Sequence, residues 1–112
     1  MQMNVSRNNR AVALALAERL HQRLLEALGE PLEVILFGSQ ARGEATGESD
    51  IDVMVVVSSL EKKSLDVILE SAWEVGFEVG KVISVIPATF EETQKLSASP
   101  FFKTVKEQGI RV

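Results

Sequence analysis

The sequence predicts an α/β (α+β) fold, a small mixed central sheet of about three strands covered by helices. Three observations lead there. Apolar residues recur at helical spacing in the first thirty positions, short β-branched runs follow, and serine or threonine start signals precede the later helical stretches.

From about Arg10 to Leu28, the residues Ala13, Leu16, Leu20, Leu24 and Ala27/Leu28 line one helix face. Gly29 stops that helix and Pro31 lies just beyond. Leu32–Phe37 is a short apolar run ended by Gly38 and reads as a buried strand. Asp50–Val57 is the second strand, with the β-branched content expected of one packed on both faces. Ser58 and Glu61 have the spacing of a capping box and predict a helix from Ser58, its buried stripe formed by Leu65, Ile68/Leu69, Ala72, Val75 and Val79. Lys81–Ile86 is the third strand, closed by Pro87. Thr89 and Glu92 repeat the capping-box spacing before a short helix. Ser99 and Pro100 then supply an N-cap and a proline at the first helical position, where its missing N–H costs nothing. Phe101, Phe102 and Val105 pack this last helix, with the two phenylalanines as core anchors, until Gly109 ends it. His21 reads as a surface or boundary residue, Trp73 as core or interface packing, and Lys95, Lys103, Lys106 and Arg111 as a solvated helix face.

Composition narrows the chemistry. A length of 112 residues, without repeat or linker, is expected to form one domain over residues 1–112. The absence of cysteine excludes a disulfide scaffold, a cysteine-ligated metal and a thiol nucleophile, and a single histidine excludes a multi-histidine cage. Sixteen acids against twelve Lys and Arg give a net charge of −4, which counts against nucleic-acid binding through a dense basic surface. No run approaches the roughly 20 apolar residues of a membrane span, and no secretory signal is evident, so a soluble cytoplasmic protein is expected. Carboxylates, hydroxyls, glycines and backbone amides are left to do the chemistry.

Those groups gather in Phe37-Gly38-Ser39-Gln40-Ala41-Arg42-Gly43 and, after six intervening positions, Asp50-Ile51-Asp52. A strand ends at Phe37, and Gly38-Ser39 turns the chain into a short helix, with exposed amides and a hydroxyl suited to phosphate. On a strand, Asp50 and Asp52 point to one face and Ile51 to the other. Two carboxylates about 5 Å apart repel by roughly 3 kcal/mol at an effective dielectric near 20. A proton or a divalent cation removes that cost. Mg²⁺ is suited to the position, since it binds through one or two carboxylates together with phosphate oxygens. A solvated strand edge is the plain reading of an isolated Asp-x-Asp; the upstream Gly-Ser turn shifts the balance to a site.

Together these residues resemble the signature of the DNA polymerase beta-like nucleotidyltransferase superfamily, and most closely its minimal nucleotidyltransferases. The resemblance covers essentially the whole chain. It implies Mg²⁺- (or Mn²⁺-) dependent transfer of a nucleoside monophosphate, AMP from ATP above all, to a hydroxyl of a protein or small-molecule acceptor. Gly38 and Ser39 would hold the triphosphate and Asp50 and Asp52 the metal. Arg42 would contact phosphate or brace the loop against a carboxylate. Many relatives carry a basic residue where this chain has Gln40. Active members usually carry a third carboxylate on the neighbouring strand. Ser84 occupies the matching position here, and Glu33 and Glu78 are candidate substitutes. A serine cannot supply the charge of a ligand or a base. The resemblance also implies a helical partner of the HEPN class, in a toxin–antitoxin pair, or a homo-oligomer. Two functions follow: an enzyme, or a catalytically degenerate nucleotide-binding antitoxin or regulatory subunit that acts by binding a helical partner. A nucleic-acid polymerase fragment is the weakest reading, given the charge and the lack of fingers or thumb segments.

Overall fold

The most deeply buried strand is β2 (Ile51–Val57), in which every residue but Asp52 is buried. Its neighbours explain this. The computed structural model, which describes residues 5–46 and 49–112, arranges four strands in the order β3-β2-β1-β4. β1 (Glu33–Phe37) runs antiparallel to β2, β3 (Ile83–Thr89) runs parallel to it, and β4 (Ile110–Arg111) pairs antiparallel with β1. The sheet is therefore mixed, as expected, with one strand more than the sequence suggests. β4 is two residues long, too short to show any periodicity, and its pairing with Ile35 and Leu36 is a tertiary event.

Two long helices close one face of the sheet. α1 (Val5–Leu28) and α3 (Lys62–Phe77) bury Ala13, Leu16, Ala17, Leu20, Leu24, Ile68, Ala72 and Val75 against Val34, Leu36, Ile51, Val53, Val55 and Val57. α1 begins before Arg10, and Asn9 and Arg10 make tertiary hydrogen bonds to Ala45 O and Ala41 O. On the opposite face, α4 (Phe90–Lys95) and α5 (Pro100–Gln108) cover a smaller cluster of Met54, Val56, Ala88 and Val105 with Phe37, Phe90 and Phe102. Both of their start signals form as expected. Thr89 and Glu92 make a reciprocal capping box, and Ser99 accepts the Phe102 N–H ahead of Pro100.

Four expectations are corrected. Ser58 does not cap a helix: β2 runs on to Val57, the chain stays non-helical through Leu60, and α3 starts at Lys62 with Glu61 as an N-cap without a side-chain bond. β3 does not stop at Pro87 but continues to Thr89. Val82 O accepts the Ile51 N–H at 2.9 Å, so strand alternation turns residues 84, 86 and 88 toward β2 and Pro87 outward. On an edge strand the missing N–H then costs no ladder bond. Leu69 and Val79 are exposed rather than part of the buried stripe, since α3 packs through Ile68, Ser71, Ala72, Val75 and Gly76. Trp73 is not core: it is 64% exposed and stacks on the equally exposed Phe77, with ring centroids 4.8 Å apart. Together with Leu69, Val82 and Val85, this pair borders a groove of about 410 Å³ between α3 and β3.

Candidate functional site

At the end of β1 the chain turns directly into α2 (Gly38–Arg42), a five-residue helix whose N-cap, Phe37, offers no side-chain oxygen. The first-turn amides of α2 therefore receive no side-chain cap. Gly38 adopts φ +73°, and a Cβ there would lie 2.5 Å from Asp52 Oδ2. Glycine is thus required twice at this position, by backbone angle and by the close approach of a carboxylate. Ser39, half-buried, follows it.

Phe37 and Asp52 are direct partners in the β1–β2 ladder, and Asp52 is level with Ser84 in the β2–β3 ladder. Asp50 lies just outside β2 rather than inside it, yet the Ser84 hydroxyl donates to its Oδ2 at 3.5 Å. Asp50, Asp52 and Ser84 thus share the open face of the sheet beside Gly38. Partial burial pushes the Asp52 carboxyl above its ordinary pKa, the neighbouring Asp50 charge pushes it further, and Arg42 opposes both. The pair is electrostatically unfavourable as it stands, which is the condition a cation relieves.

Two carboxylates and a hydroxyl suit a Mg²⁺ ion that completes its shell with water and phosphate. Among the described residues no cluster of three or more acids, histidines or cysteines forms an all-protein cage. The candidate substitutes for a third acid lie elsewhere. Glu33 sits at the far end of β1, 3.8 Å from Arg111, and Glu78 pairs with Arg19 of α1.

Arg42 pairs with Glu44 at 2.6 Å, and its charge also acts on Asp52. Gln40 is buried beneath α2, its Nε2 directed at Ser49 O at 3.5 Å and its Oε1 without a partner. Sequence reasoning overlooked Arg10. Its guanidinium reaches from α1 to the last turn of α2, donating to Ala41 O at 2.6 Å and to Gln40 O at 3.5 Å, while Asn9 donates to Ala45 O at 3.1 Å. A cation at the C-terminal end of a helix is favourable. Arg10 lies three residues before Ala13, in line with the apolar stripe, but that spacing does not name its partner.

Comparison with known proteins agrees with this geometry. A nucleotidyltransferase domain family matches residues 17–109, and the chain belongs to that family. It is 33% identical over 81 residues to "Putative protein adenylyltransferase MJ0604" of Methanocaldococcus jannaschii, a match covering 72% of this chain and 77% of the relative. Among solved structures, a "putative nucleotidyltransferase" from Sulfolobus solfataricus superposes with a TM-score of 0.60 at 17% identity, over 96% of this chain and 85% of that one. A chain from a toxin–antitoxin structure with AMP-PNP superposes with a TM-score of 0.57 at 24% identity, over 84% and 70%. At these identities the two structures speak for the fold. The expected class of protein is thereby shown.

Proposed function

We propose that this chain is a Mg²⁺-dependent nucleotidyltransferase that moves AMP from ATP to a hydroxyl of a protein or small-molecule acceptor. The single observation that carries this reading is the placement of Asp50 and Asp52 on one open sheet face beside the Gly38 notch. The amides of Gly38 and Ser39 and the Ser39 hydroxyl would hold phosphate oxygens, and Arg42 would steady the loop through Glu44. Asp50 and Asp52 would hold Mg²⁺, which supplies neutralisation of the charge on the triphosphate. In the transfer, the acceptor oxygen bonds to the α-phosphorus, the α–β anhydride bond breaks, and pyrophosphate leaves. The acceptor proton passes to the carboxylate pair or to water. The residues of this chain contribute orientation of the triphosphate against the open face, where an acceptor has access.

Ser84, in place of a third acid, favours a second reading: a nucleotide-binding antitoxin or regulatory subunit without turnover. Titration calorimetry with ATP and Mg²⁺ tests both. Saturable binding to the wild type, lost by at least about a hundredfold in Asp50→Asn/Asp52→Asn, supports the site; no binding by the wild type sinks both nucleotide readings. Transfer of label from α-labelled but not γ-labelled ATP then separates turnover from binding alone.

A protein partner belongs to the same proposal, a helical HEPN-type protein before a second copy of this chain. Likeness to a chain of a toxin–antitoxin complex supports it, as does the exposed Trp73–Phe77 surface, the kind of patch that marks a protein contact. Trp73 is the sole tryptophan, so its emission should shift to the blue when that surface is covered. No helix among the described residues is long and apolar enough to cross a membrane, and a cytoplasmic setting completes the proposal.

A further inference from the structure

Three of the five phenylalanines gather at the carboxylate end of the sheet. Phe37 stands directly opposite Asp52 in the β1–β2 ladder and packs on the open face with Met54 and Val56. Phe101, in the first turn of α5, meets Phe37 edge-to-face with ring centroids 5.7 Å apart, and meets Phe102 in the same manner at 5.6 Å. The two neighbouring residues of α5 are treated differently. Phe102 packs into the small cluster above the sheet, whereas Phe101 stays 40% exposed. Its position is nonetheless fixed, by the Ser99 cap, by Pro100 and by its two aromatic contacts.

Phe37 faces Asp52 across the antiparallel pair, so Phe101 stands one ring contact beyond the residue facing Asp52. α5 also lies against α2, the element that begins with Gly38 and Ser39. A triphosphate held at Gly38 and Asp52 carries its base one ribose away from the α-phosphate. The groups at Gly38, Ser39, Asp50 and Asp52 address phosphate and cation only. A partly exposed, immobilised aromatic ring at their margin addresses the remaining part of a nucleotide.

We propose that Phe101 is the nucleobase platform of this site, stacking the base of a bound nucleoside triphosphate while α2 and the carboxylates take its phosphates. This inference rests on the nucleotide-binding reading above. Stacking on one aromatic side chain strengthens nucleotide binding by about tenfold or more and discriminates weakly between bases, because every base has a π-face. Phe101 therefore sets affinity for nucleosides over bare polyphosphate, and ATP and GTP depend on it alike.

The test is calorimetry on the full chain with Mg²⁺ and either ATP or inorganic tripolyphosphate. The wild type is expected to bind ATP about tenfold more tightly than tripolyphosphate. Phe101→Leu should bring ATP down to the tripolyphosphate level with tripolyphosphate unchanged, and Phe101→Trp should retain the ATP preference. The tripolyphosphate arm shows that the variant still folds and still has its phosphate site. Equal affinity of the wild type for both ligands overturns the proposal. So does Phe101→Leu binding ATP within about twofold of wild type, or losing both ligands in parallel, which is a packing effect. A wild type that binds neither ligand overturns the nucleotide-binding reading itself, and the platform with it.

Discussion

The two faces of this sheet are made by alternate residues of the same strands, yet only one is sealed. On the closed face Val34, Leu36, Val53 and Val55 are completely buried beneath α1 and α3, helices of 24 and 16 residues. On the open face α4 and α5, of six and nine residues, reach Met54 and Val56 but leave Asp52 and Ser84 only half-buried and Ile86 38% exposed. The difference shows where a small protein places its chemistry. Covering helices that are too short leave one end of a sheet face wet. At that end strand alternation presents a carboxylate, while Ile51 and Val53 on either side of it keep the core dry.

The largest stability difference is expected between the faces themselves. Leu24→Ala, beneath the closed face, should lower unfolding stability by about 2–5 kcal/mol, whereas Ile86→Ala on the open face should cost less than about 1 kcal/mol. Equal losses in denaturant titrations would erase the contrast. Next in size is Gly38→Ala, which adds a Cβ against the Asp52 carboxylate at a left-handed φ and should cost about 1–3 kcal/mol. Combining it with Asp52→Ala should recover part of that loss, because the clash disappears while the backbone strain stays; strict additivity would show that the contact is not felt.

Arg10→Ala removes both donors from the last turn of α2, with an expected loss of about 1–2 kcal/mol and weaker ATP binding through a looser Gly38–Arg42 segment. Calorimetry and thermal unfolding on the same variant should move together. The smallest effect concerns pH. Asp52 has a raised pKa in the folded chain, so its protonated form favours folding. That contribution is fully present below the ordinary carboxylate pKa and is lost as pH rises through the raised folded value. Asp52→Asn should therefore raise the unfolding free energy slightly at pH 7, by under about 1 kcal/mol for a group this exposed, and the difference should vanish on acidification. A variant less stable than wild type at pH 7 would contradict the sign.

The candidate site was legible at Gly38 and Ser39 from a turn that follows a strand and at Asp52 from strand alternation, whereas Ser84 was found only through the family resemblance and Asp50 lies just outside the strand. Arg42 was legible as a choice of two roles, and it both pairs with Glu44 and lies near enough to Asp52 for its charge to act there. The support of the site was much less legible. Arg10 lies 31 residues before the carbonyl it binds most closely, and nothing local in its helix announces that partner. Trp73 and Phe77 recur at helical spacing like core residues, and only the position of α3 beside the edge strand β3 turns them outward.

By itself the sequence determined the alternation of helices and strands, the caps at Thr89 and Ser99, and the place of the two aspartates at the start of β2. These follow from periodicity, capping chemistry and the two-residue repeat of a strand, all of which act over a few residues. Tertiary structure alone decided that two C-terminal residues become β4, that Pro87 can stay in a strand by lying on the edge, that α1 braces α2, and how far α4 and α5 cover the open face. Each of those outcomes depends on which backbone or surface a segment meets from far along the chain, and a local pattern cannot encode its distant neighbour.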